Sequence, residues 1–508
     1  MMFSGLDITL FVAFYLLVVG FSFWKSRGSK DSAGYFLGRR TLPWWLIGIS
    51  IVAANLSTEQ FVGMAGQAAG NVGFAVSSWQ LLSSAGVVII ALVFFPRLLK
   101  TGIYTMPEYL EYRYNAAARA IMSILIVIIY ALVTTAAVLY SGGTALETIF
   151  GIKLSTSVIV IAMVAVVYVV WGGLLAAVWA DLFQGTALLV GGLITAYIGI
   201  KACGGLPNFL EVNSDKMHLI LPGDHPELPW HVLIGGIWIP IFYYSGFNQF
   251  IMQRSLGARS LKQAQLGIIF AGTLWLLVPI AVVLPGIIAH QLYGSGIERI
   301  DQAYPMVVRE LIPAGLRGLI FAALMGAVIS SVAAMLNAGS TIFTMDIWKR
   351  HIRRNSSEAN LVLTGRITTV VFLLIACYVS LTGLLAGGVF AFIQEFQGYI
   401  SPGILAAFVF GFAVKKAPPS AGVVALIASA PIYGFLQWQW GGVPYLHRML
   451  VTFILLILIM GIITVIKPLK ESRSLPVRED MDMSKSPIVV ILGLLLILAV
   501  AIFYILFP

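Results

Sequence analysis

The chain has 508 residues, 59% hydrophobic and 10% charged, with a net charge of +10 and a mean hydropathy of +0.95. A soluble domain carries about 25% charged residues, so the composition excludes a soluble enzyme or binding module and places the chain in a bilayer. The two cysteines, Cys203 and Cys377, and six scattered histidines have neither a disulfide pattern nor metal-ligand spacing. No cofactor, structural metal or enzymatic centre is expected.

A membrane-spanning helix takes roughly 20 residues. Apolar runs between charge-rich breaks predict fourteen spans: 5–24, 43–70, 74–96, 120–149, 155–172, 176–203, 231–252, 264–292, 316–346, 361–385, 387–414, 418–438, 447–466 and 488–507. The first lacks a basic n-region, with Asp7 its only early charge, and no Ala-x-Ala site follows, so it reads as a span and not a signal peptide. Lys and Arg collect in alternate loops, at 25–40, 97–119, 254–262, 349–366, 415–416 and 467–485, which hold 24 of the 31 basic residues. That bias is the positive-inside pattern. It puts both termini outside the cytoplasm, in a plasma (inner) membrane. It also assigns the basic balance to topology, with no nucleic-acid partner.

In chain order, the first unusual element is Ala53-Ala54-Asn55-Leu56-Ser57-Thr58-Glu59-Gln60, inside span 43–70. Polar side chains at that depth face protein or a water-filled cavity. Irregular backbone there is tolerated only where it is buried in protein or lines such a cavity, so the span is predicted to be a broken helix. Met106-Pro107-Glu108 opens a short cytoplasmic helix, and Trp171-Gly172-Gly173 marks a tight cytoplasmic turn just before Asp181. Residues 204–230 form the longest outer loop. Gly235-Gly236 and Pro240 interrupt a second span, followed by Tyr243, Tyr244, Asn248 and Gln249. Span 316–346 is dense in small residues, including Ala327, Ser330 and Ser331, which let helices approach closely. Gln394-Glu395-Phe396-Gln397-Gly398 is another polar break at depth.

Five spans run from the first interrupted one to residue 203, and five more from the second to residue 414. Because five is odd, the second set enters from the opposite face. Paired interruptions in inverted halves point to a transporter binding site near the membrane midplane. The expected organisation is an extra N-terminal helix and loop (1–42), a first repeat (43–203), an outer loop (204–230), a second inverted repeat (231–414) and three C-terminal helices (415–508).

With those residues in place, the chain resembles the sodium/solute symporter family, and within it the sodium/glucose cotransporter branch. The resemblance rests on Ala53–Gly66, Gly102–Arg113, Trp171–Gln184, Tyr243–Arg254, Ala327–Trp348 and Gln394–Gly403, and it extends over nearly the whole chain. It implies an all-α, five-plus-five inverted-repeat fold and Na⁺-coupled symport of a small polar solute by alternating access. Carried over by motif, it implies a Na⁺ site of Ala53, Leu56 and Ala327 carbonyls with Ser330 and Ser331 hydroxyls, and Asp181 as an acid on the sodium path. It further implies a solute site of Gln60, Gln80 and Gln394, with Tyr243 and Tyr244 as an inner gate.

Amides donate to and accept from hydroxyls, and aromatic faces stack on sugar rings, so a sugar or polyol is favoured. The chain departs from the branch at Gln80 (usually Glu), Ile241 (Asn), Ser245 (Trp) and Trp275 (Lys). Losing polar partners for buried hydroxyls changes discrimination by a large factor, which argues against galactose or glucose themselves. Asn55 and Asn248 are expected to hold backbone, and Glu59 either lines the cavity or is ion-paired. Rival readings are a carboxylate or amino-acid symporter, or a sensor or channel on the same scaffold. Residues 467–485 are too short for a signalling domain, and no pore ring is visible. A homo-oligomer is left open.

Overall fold

The computed structural model describes residues 4–26, 40–385, 388–478 and 481–508, without the side chains of residues 23, 25, 26 and 167–177. The basic loop expected at 25–40 lies largely outside these residues. The described chain is helical, and its only β contacts are two isolated bridges, Leu42 with Ala258 and Leu221 with Pro229. Ten helices are long and apolar enough to cross a membrane, and two bent pairs bring the number to twelve.

At the centre stands Leu316–Ile342, continued by a π-helical end to Ile352. In its most apolar stretch 94% of residues are buried, against 22% in Pro487–Leu506 and 17% near the N-terminus. Its sequence explains that position: a helix apolar all round, with Gly, Ala and Ser where other helices approach, packs on every face. The N-terminal helix Gly5–Ser26 docks on it. The Asp7 carboxylate accepts the amides of Gly315 (2.7 Å) and Gly318 (2.9 Å) and pairs with Arg317 at 3.0 Å. An anion at the positive end of a helix is favoured there, so the lone early charge is an anchor.

The helix Leu154–Ala202 covers two predicted spans. A Cβ placed on Gly142 would lie 2.9 Å from Val328 and 3.1 Å from Ile161, and one on Gly191 would lie 3.0 Å from Ile320. Ile161 and Gly191 would be about 45 Å apart on a straight helix, yet they neighbour positions about 12 Å apart on the central helix. Positions 161 and 191 therefore lie closer together than one straight helix would put them. The turn expected at Gly172-Gly173 falls where side chains are not described.

All three predicted breaks are present. Trp44–Asn55 and Glu59–Ala69 meet at 54°, and Val389–Gln397 and Ser401–Ala413 meet at 46°. The second interrupted span divides into Trp230–Ile234, Trp238–Phe242, a π-helical turn Tyr243–Phe247, and Gln249–Leu256. Span 120–149 continues as Ala116–Phe150 through a π-helical turn at Tyr130–Thr134.

Candidate functional site

The first break frees backbone oxygen. The Ser57 amide donates to the Asn55 carbonyl (2.9 Å) and the Gln60 amide to the Ser57 carbonyl (3.1 Å). The carbonyls of Ala53 and Leu56 thereby lose the i+4 donors a continuous helix would supply. Ala53 faces the span Val178–Ala202 so closely that a Cβ on Gly185 would lie 2.5 Å from its own.

One turn before Gly185, Asp181 is fully buried and triply held. It accepts from Ser50 at 2.5 Å and from Arg254 at 3.0 Å, and it also accepts the Ser330 hydroxyl. Arg254 in turn donates to Ser50 at 2.7 Å. The expected path acid is thus an ion pair joining four elements, with Ser330 tied into it. The neighbouring Ser331 hydroxyl is buried without a protein partner. Released carbonyls and a free hydroxyl are weakly charged oxygens of the kind a hard alkali cation binds.

A few residues along the first broken helix lies a small cavity of about 50 Å³. Its wall includes Asn55, Glu59, Gln60, Trp79, Gln80, Tyr244, Phe390 and Gln394. The three predicted amides are therefore brought together. Gln80 is their hub, its Nε2 donating to Asn55 Oδ1 (3.1 Å) and to Gln60 Oε1 (3.0 Å).

Two residues differ from expectation. Asn55 presents its side chain to the cavity instead of holding backbone, whereas Asn248 does cap the next helix through the Phe250 amide. Tyr243 does not line the cavity; it is buried with an unpartnered hydroxyl. Of the two tyrosines, Tyr244 is the one that reaches the cavity.

Glu59 is the only charged residue of the wall. Its Oε2 has no partner, and among the described residues it makes no ion pair. On one side of the cavity, Trp79 and Phe390 meet edge to face at 5.7 Å, and Phe390 also lines a second cavity. One turn along from Tyr244 lies an aromatic cluster that periodicity did not flag, with Phe247 stacked on Phe408 at 4.4 Å and Phe94 on Phe412 at 5.6 Å. Its members come from three distant segments, so no local pattern marks it.

The sequence pattern of the sodium:solute symporter family matches residues 35–428. The chain belongs to that family. This symporter is 38% identical to a sodium/glucose cotransporter of Vibrio parahaemolyticus over 90% of each chain. It is 30% identical to sodium/myo-inositol cotransporter 2 of Oryctolagus cuniculus, covering 85% of this chain and 69% of that one. In fold it is similar to a Na⁺-coupled sialic acid symporter in an outward-open state, with TM-score 0.82 at 20% identity, covering 92% of this symporter and all of that chain.

Proposed function

We propose that this symporter carries a small polyhydroxylated solute, a sugar or polyol, inward with Na⁺ across a plasma membrane by alternating access. The observation that carries the reading is the amide-walled cavity: Gln60, Gln80 and Gln394 beside Trp79, Tyr244 and Phe390. Hydrogen-bonding amides with aromatic faces match a ring or chain of hydroxyls. Relatives described as glucose and myo-inositol cotransporters support the same class. A carboxylate is disfavoured, because the wall holds Glu59 and no Lys or Arg. An anionic solute there would find no opposite charge among the described residues of the wall.

Na⁺ would be held by the Ala53, Leu56 and Ala327 carbonyls with Ser330 and Ser331. Asp181 would act beside them through Ser330. Trp79 and Phe390 would close the outer side, and Tyr244 with the Phe247–Phe408 cluster the inner side. The fourteen-span organisation with two inverted five-helix repeats, one N-terminal and three C-terminal extra helices, and external termini belongs to this reading. The broken helices in both halves, and the length of Leu154–Ala202, enough for two predicted spans, support it.

Coupling needs Na⁺ to bind one access state better than the other, since a ligand shifts an equilibrium only through differential affinity. One Na⁺ entering at about 100 mV releases roughly 2.3 kcal/mol, and a tenfold gradient adds about 1.4 kcal/mol. The resulting ceiling is near 500-fold accumulation. Uptake of labelled sugars and polyols into proteoliposomes tests the proposal. Accumulation should collapse when the Na⁺ gradient is abolished; undiminished accumulation would remove it.

A further inference from the structure

Outward of Phe390 the structure holds a vestibule of about 410 Å³, lined among others by Gln67, Glu227, Asp301, Glu395 and Arg448. Three carboxylates thus face one arginine. Glu395 is accounted for: it accepts from Arg448 at 3.1 Å and from Gln437 at 2.9 Å. The other two are not. Glu227 accepts only the Gln67 amide, at 3.1 Å. Among the described residues, neither it nor Asp301 has a Lys or Arg within ion-pair distance.

Asp301 is the more exacting case, being 2% exposed. Its Oδ2 accepts the Val389 amide at 3.2 Å, while its Oδ1 has no protein partner. A buried carboxylate oxygen left without a donor or cation is costly. The burial shows in its acidity: lost hydration pushes the Asp301 carboxyl up to about 6, against the pull of the Val389 amide and Arg299. Glu227 is raised as well, also by burial, with His225 opposing.

The placement matters as much as the charge. A Cβ on Gly66 would lie 2.8 Å from the Ile300 carbonyl and 3.2 Å from the Asp301 amide, so this turn sits directly on the outer half of the first broken helix. Val389 begins the helix that carries Gln394. Asp301 therefore touches both elements whose inner residues wall the solute cavity, and Gln67 brings Glu227 to the first of them.

We propose that this vestibule is an external alkali-cation site, with Asp301 Oδ1 as its principal ligand and the Glu227 carboxylate beside it, distinct from the oxygens of Ala53, Leu56 and Ser331. A cation there relieves the under-compensated carboxylates. It also raises the local Na⁺ concentration at the mouth, as an acid-lined cleft with low-dielectric walls does, and it favours the state in which the first broken helix and the Val389–Gln397 helix are drawn together.

The test is radioactive Na⁺ binding to the purified full chain, with Na⁺-dependent uptake in proteoliposomes in parallel. Asp301→Asn should lose one bound Na⁺ per chain and raise the external Na⁺ for half-maximal uptake about tenfold, while Asp301→Glu restores both. Ser331→Ala should lose a different Na⁺, so failure of the inner assignment and failure of this one are separable. Glu227→Gln keeps the question answerable if Asp301→Asn does not fold, and it should also raise the external requirement. Unchanged Na⁺ stoichiometry and half-saturation in Asp301→Asn, or in Glu227→Gln if that is the variant that folds, would overturn the site. So would displacement of the Asp301-dependent Na⁺ by micromolar Ca²⁺.

Discussion

Asp181 and Glu59 are both carboxylates buried near the first broken helix, and they are handled in opposite ways. Asp181 is enclosed by Arg254, Ser50 and Ser330, and each of those partners sits on a different element. Among the described residues Glu59 has no cation, and it borders the amide-walled cavity. A charge satisfied by protein holds an architecture together. A charge left to the cavity is available to whatever enters it. In the proposed mechanism the ion side is therefore tightly braced, and the solute side is open to being tuned.

The comparison can be broken most forcefully at Arg254. Arg254→Met leaves Asp181 buried and unpaired, which costs about 3–5 kcal/mol. Thermal unfolding in detergent should show a large loss of folded protein. Asp181→Asn combined with Arg254→Met should recover much of it, because the isolated charge is gone. If the single variant is as stable as the parent, Asp181 is not a brace.

Next in size is Gln80→Leu. It strands the Asn55 and Gln60 oxygens, at about 1–3 kcal/mol each, and should raise the solute half-saturation about 10-fold or more while leaving that of Na⁺ within about twofold. An equal rise in both would mean that the two halves of the broken helix are not separate sites. Ser331→Ala is expected to do the reverse. Loss of one hydroxyl ligand, at about 1 kcal/mol, should raise the Na⁺ half-saturation about fivefold, read from uptake against external Na⁺.

The smallest effect is expected at Glu59→Gln, which keeps shape and hydrogen bonding but removes the only charge of the wall. Uptake of a neutral solute should stay within about threefold, and thermal stability should hold or rise, because a buried unpaired charge has been removed. Loss of folded protein would place Glu59 in the same class as Asp181 and erase the contrast.

How much of this was legible depends on whether the signal is local. Ala53 to Gln60 announced itself because polar side chains within one apolar run are anomalous at membrane depth, whatever the rest of the chain does. The same holds for Gln394–Gly403 and for the small residues around Ser330. Tyr243 and Tyr244 were equally visible, but adjacent letters do not say which one faces a cavity.

Sequence by itself determined the family, the helical class and the breaks, since each is a matter of composition, spacing or motif. Only the tertiary structure decided that Arg254 closes on Asp181 across 73 positions, that Gln80 is the hub for Asn55 and Gln60, and that Asp7 anchors the central helix. It alone brought Asp301 against Gly66 and Val389 and left one of its oxygens free. Those facts depend on which distant segments share a few ångströms. Such distances are set by packing among helices, which periodicity within any one helix does not encode.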